Sequence, residues 1–142
     1  MPGNIKRMNI AMLENHTGEI GAEVVLTNAL IEEFTLHTNL MLTENDNADA
    51  LFSGKIVSSR IDAVSRREQS SAREERIHIV IDFKLTDPDG NIIWSADGIS
   101  ANETYSVVSE NKIATEHNRH EAISSISEKI AENVYYRISD MF

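Results

Sequence analysis

The chain has 142 residues, with 13 Lys and Arg against 23 Asp and Glu, a formal net charge of −10 and no cysteine. At about 150 residues per domain this is one domain. The missing cysteines exclude a disulfide framework, a thiol nucleophile and a Cys-based zinc site, and the acidic balance argues against nonspecific nucleic-acid binding, which depends on neutralising phosphates with Lys and Arg. Leu, Ile, Val and Phe together supply 37 residues, above the roughly 20% below which chains tend to be disordered. The longest apolar run, Ile10 to Leu13, is far short of the about 20 residues that span a bilayer.

Residues 1–4 lack the charged and apolar regions of a signal peptide and read as a truncated or engineered start, followed by a single domain over 5–142. Residues 5–13 read as a first strand with Met8, Ile10 and Met12 on one side. The polar run Glu14-Asn15-His16-Thr17-Gly18 breaks it, and Thr17 is the expected N-cap of a helix with Glu19 in its first turn. Ile20, Val24, Thr27, Ile31 and Phe34 follow at steps of four and three, the expected buried stripe of that helix, which should end near residues 37–39. Residues 40–43 can form a short extended piece, and Glu44-Asn45-Asp46-Asn47 is a polar turn cluster.

A long strand is expected from Leu51 to Val64. The clearest strand comes next: Ile77, Ile79, Ile81, Phe83 and Leu85 alternate with His78, Asp82 and Lys84. Asp87-Pro88-Asp89-Gly90 predicts a hairpin turn, because Pro presets φ and Gly supplies the left-handed position. The last strand runs from Ile92 past Trp94 to Val107, with a bulge or bend at Asp97-Gly98. Trp94 and Tyr105 are expected to pack in the core or at its rim. Finally Ile123, Ile126, Ile130, Val134, Ile138 and Met141 recur every 3.6 residues on average, an amphipathic helix. The order strand, helix, three long strands, helix predicts an α/β (α+β) two-layer sandwich: about four long strands in a mixed sheet, two helices on one face, and a second sheet face left polar.

Catalytic signals are sparse. Glu116-His117-Asn118-Arg119-His120-Glu121 could set His117 and Glu121, or Glu116 and His120, on one helix face. A structural zinc site wants four ligands, so the solvated start of a helix is the better reading and no metal or cofactor is expected. There is no glycine-rich phosphate loop and no Gly-x-Ser-x-Gly elbow. Basic residues do concentrate once. Arg60, Arg66, Arg67, Arg73 and Arg76 fall within 17 positions that net +1, against −11 for the rest of the chain, around the expected hairpin tip Gln69–Ala72. The plain reading is a salt-laced hairpin. The functional alternative is a local anion contact, since guanidinium grips phosphate in a fork.

Several segments in series resemble the lipopolysaccharide-assembly lipoproteins, the LptE-like family. They are Ile5-Lys6-Arg7-Met8-Asn9-Ile10 with Glu14-Asn15-His16-Thr17, then Leu26 to Phe34, then Ala48-Asp49-Ala50-Leu51-Phe52-Ser53-Gly54-Lys55-Ile56, then Trp94 with Glu103-Thr104-Tyr105, and Ala114-Thr115-Glu116 leading into Glu121-Ala122. The resemblance covers nearly the whole chain, and the serial order carries it more than any one motif. It implies a non-enzymatic, lipid-anchored subunit on the periplasmic side of the outer membrane, which plugs the large β-barrel LptD, assists its assembly and binds lipopolysaccharide on its way to the cell surface. The anchoring N-terminal Cys of the family is absent here. Lipopolysaccharide carries phosphates, so Arg60, Arg66, Arg67, Arg73 and Arg76 are the expected contact. The competing readings are another envelope lipoprotein module, such as an activator or scaffold of cell-wall synthesis, and an enzyme using the His117/His120 region.

Overall fold

The computed structural model describes residues 5–38, 40–44, 47–64 and 73–141. The hairpin tip with Arg66 and Arg67, residues 1–4 and part of the 44–47 turn cluster lie outside the described residues, as does the Met141 side chain. The elements are β1 (Arg7–Ile10), β2 (Glu14–Asn15), α1 (Ala22–His37), β3 (Met41–Leu42), β4 (Ala50–Ala63), β5 (Arg73–Thr86), β6 (Ile92–Val107) and α2 (Lys112–Met141). They form one mixed sheet in the order β3-β1-β4-β5-β6, with β2 also beside β4. β1 runs parallel to β3 and β4, while β4, β5 and β6 form an antiparallel meander. This is the expected two-layer sandwich: β3 is the short extended piece expected at residues 40–43, and β2 is added to the expected strands.

The strict alternation in β5 buries Ile77, Ile79, Ile81, Phe83 and Leu85. Full burial of such side chains contributes about 1.5–3 kcal/mol each, before chain entropy is set against it. Ala50, Phe52 and Ile56 of β4 and Trp94, Ile99 and Tyr105 of β6 join them. From above, α2 contributes Ile123, Ile126, Ile130, Val134 and Ile138, the predicted stripe. Asn111 caps that helix, its Oδ1 accepting from the Ala114 N–H at 3.0 Å. The two helices and the sheet meet at a cluster of rings: Phe34 of α1 lies 5.8 Å from Phe52 and edge-on to Tyr135 at 5.7 Å.

The expected first strand is corrected in its second half. Ile10 sits opposite Phe52 and Glu14 opposite Lys55, so four steps on this side match three on β4. The extra residue reverses the alternation: Met8 and Ile10 face the helices, Met12 turns out to solvent, and Leu13 becomes buried. Gly54 makes room for it. A Cβ there would lie 2.7 Å from the Asp82 carbonyl oxygen, 2.8 Å from Phe83 and 3.1 Å from the Leu13 side chain. The Leu13 N–H donates instead to Thr27 Oγ1 of α1 at 3.0 Å, so the irregularity leaves no orphaned donor at that residue.

The start of α1 is corrected too. Its N-cap is Gly21, with φ +92°, and not Thr17; the Gly21 N–H donates to Glu23 Oε1 at 2.9 Å. Thr17 and Asn15 instead stabilise the preceding turn: Asn15 Oδ1 accepts from the Thr17 backbone and hydroxyl, and Asn15 Nδ2 donates to the Glu19 carbonyl. The buried stripe is Ala22, Leu26, Leu30 and Phe34, with Thr27 beside it. Of the expected stripe only Thr27 and Phe34 are buried, while Ile20, Val24 and Ile31 face out. Bulk misled the expectation. The small Ala22 is buried at the start of the stripe, and the helix turns that face inward, mainly against α2.

Candidate functional site

The helices seal one face of the sheet, and the other face stays polar, as the pattern of β5 predicts. Most of its charges sit on β4 and β5, with Asp97 of β6 and Glu14 of β2 at one end. Lys55 lies opposite Asp82, Arg60 opposite His78, and Asp62 opposite Arg76. Asp62 Oδ2 lies 3.0 Å from Arg60 Nε and 3.2 Å from His78 Nε2, so one carboxylate holds two bases in place. The facing positions on β6 are uncharged: Ser100, Asn102, Thr104 and Ser106. The bulge expected at Asp97-Gly98 is present. Gly98 has φ +71° and its N–H donates to Asp82 Oδ1 at 2.8 Å, so Asp82 closes the bulge.

At the end of this face nearest β2, a groove of about 620 Å³ runs between Met12, Lys55, Lys84 and Ile92. Residue-by-residue reading missed it, because it exists only where the extra residue turns Met12 outward. The opposite end carries the arginines. Arg60 and Arg76 share the open face, placed diagonally across β4 and β5. Arg73 does not join them. Alternation from Ile77 through Glu75 puts it on the helix side, opposite Val107. Arg73 and Arg76 therefore stand on opposite faces, since an odd separation on a strand sends side chains to opposite sides. Arg66 and Arg67 lie outside the described residues.

Under the helices, the remaining polar groups hold the fold together. Tyr105 donates to Glu75 Oε2 at 2.8 Å, and burial, then that carboxylate, push its hydroxyl pKa upward. Glu19, nearly buried, lies 3.2 Å from Arg119 Nε, a charge contact without the alignment of a hydrogen bond that ties the lead into α1 to α2. Hydrogen bonds from Lys129 Nζ at 2.9 Å and Ser125 Oγ at 3.0 Å hold the Glu103 carboxyl below its ordinary value. His117 Nε2 pairs with Glu121 Oε1 at 3.1 Å on the exposed start of α2. No three His, Cys, Asp or Glu among the described residues are placed to share a metal ion. What the open face offers chemically is charge and hydrogen bonding: Lys55 and Lys84 among the carboxylates Glu14, Asp82 and Asp97 at one end, Arg60 and Arg76 beside Asp62 at the other.

Solved bacterial lipoproteins share this fold. A minor lipoprotein from Acinetobacter baumannii superposes with a TM-score of 0.61 at 14% identity, covering 96% of this chain and 92% of its own. Lipoprotein B from Nitrosomonas europaea gives 0.63 at 14%, over 96% and 84%. The rare lipoprotein B from Shewanella oneidensis gives 0.56 at 11%, over 94% and 95%. No curated protein matches the chain at the level of sequence. The profile of the lipopolysaccharide-assembly family, LptE, matches residues 5–138, and the chain belongs to that family. No helix among the described residues is long and apolar enough to cross a membrane.

Proposed function

We propose that the domain is a non-enzymatic subunit of lipopolysaccharide delivery, held at the periplasmic side of the outer membrane by an N-terminal lipid. In this reading it occupies the lumen of the barrel LptD and contacts lipopolysaccharide on its way to the surface. The observation that carries the reading is the open sheet face of a chain in this family: one layer is sealed by helices, and the other presents Arg60 and Arg76 together on an otherwise acidic body. Very large barrels hold folded plugs, and a domain of this size suits that role.

Two measurements test it. Co-expressed with the barrel and extracted in detergent, the domain should co-purify at one copy per barrel and survive high salt, as a large, well-packed interface does. Failure to co-purify under gentle and stringent conditions alike rejects the plug. Separately, Arg60→Gln/Arg76→Gln should weaken lipopolysaccharide binding by about tenfold or more at low salt, the scale expected for two charge-assisted contacts partly screened by solvent. Arg137→Gln on α2 should change nothing. Parent-like binding by the double variant would move the lipid contact away from these arginines.

A further inference from the structure

Helix α1 has two uncharged stripes where an ordinary surface helix has one. Ala22, Leu26, Leu30 and Phe34 meet the sheet and α2. On its outer side Val24, Asn28, Ile31 and Thr35, spaced four, three and four apart, face solvent without one charge among them. Val24 is 45% exposed and Ile31 36%, and Ile20, just before the helix, is 89% exposed. Single exposed apolar residues are ordinary. A stripe at helical spacing, built partly from β-branched residues that are weak helix formers, is not explained by folding. Thirty-residue α2, by contrast, carries charge along its outer side.

Charge says what such a stripe can meet. Residues 8–54, which include β2, α1 and β3, contain eight acids and no Lys or Arg. They hold −8 of the net −10. α1 itself carries Glu23, Glu32 and Glu33 and no Lys or Arg, so phosphate-bearing lipids would be repelled there, and so would a second copy docking through the same helix. An apolar patch bordered by Lys and Arg would be attracted, steered by the field and then seated on the stripe.

We propose that the outer face of α1, centred on Val24 and Ile31, docks against a basic, apolar-centred patch on the wall of the barrel partner. The assignment rests on the plug reading above and adds which face of the plug touches protein. It leaves the open sheet face, with Arg60 and Arg76, to the lipid.

The test uses the full chain co-expressed with the barrel. A photo-crosslinking residue at Val24 or Ile31 should attach to the barrel, whereas one at Ile113 on α2, also exposed, should not. Val24→Asp/Ile31→Asp should reduce recovery of the complex by about tenfold, as loss of a central apolar contact does, with the thermal midpoint of the isolated domain unchanged. Should that variant fail to fold, the crosslinks decide. Without co-purification of the parent, the plug reading and this assignment fall together. A parent complex whose crosslinks come only from other faces, with the double variant recovered normally, overturns this assignment alone. Self-association, or binding to anionic phospholipid vesicles, that the double variant loses would overturn the basic protein partner.

Discussion

Thr27 shows how one hydroxyl can join two elements. The extra residue between β1 and β2 takes the Leu13 N–H out of the ladder, and Thr27 Oγ1 of α1 accepts it in a buried position. Thr27→Val keeps the shape and removes the acceptor. It should cost about 1–3 kcal/mol, the penalty of a buried donor left unsatisfied, and Thr27→Ser should recover most of it; urea unfolding of the three proteins measures both. The sequence placed Thr27 correctly in the buried stripe. Its partner was illegible, because which backbone donor lacks a ladder bond depends on a register set by β4.

Among the elements, legibility followed the regularity of the side-chain alternation. β5, the Asp87–Gly90 turn, the bulge in β6 and α2 all lie where sequence periodicity and turn residues place them. The first strand and α1 do not, since both depend on contacts that no local window contains: an extra residue opposite β4, and a small Ala22 against the core. The arginine cluster was legible as composition; among its described members, Arg60 and Arg76 share the open face, and the odd spacing of Arg73 and Arg76 divides those two between faces. The bulge in β6 gives a prediction of its own. Gly98 holds φ +71° while its N–H bonds Asp82, and any other L-residue pays for a left-handed conformation. Gly98→Ala should therefore lower stability by about 1–2 kcal/mol, read as a shift in denaturation midpoint at constant slope. A parent-like midpoint would mean that the strand absorbs the strain.

For the whole molecule, acid should be the weak side. Backbone N–H groups of Lys6 and Arg7 hold the Asp49 carboxyl below its ordinary value, and the N–H of Asn91 does the same for Asp87. Glu103 is lowered by Lys129 and Ser125. A carboxyl with a lower pKa folded than unfolded stabilises fully above its unfolded value, and that stabilisation is lost as pH falls through the folded one. The thermal midpoint should thus stay level from neutral pH to about pH 5 and decline below about pH 4, where ordinary carboxylates titrate. Lys129→Met, which removes the largest cause of the Glu103 shift, should make that decline shallower. A midpoint that holds down to pH 3 would show that these bonds do not govern acid unfolding.

The mismatch between β1–β2 and β4 also has a meaning in coding length. Ile10 stands opposite Phe52 and Glu14 opposite Lys55, so the chain spends one residue there that its neighbour does not require. Excising Met12 would join Ala11 to Leu13, leave Leu13 beside Gly54 and Glu14 opposite Lys55, and keep every inward side chain inward. One codon separates this irregular strand from a straight one. The ladder has no use for that codon; what it supplies instead is the Leu13 N–H freed for Thr27 and the outward Met12 that lines the groove.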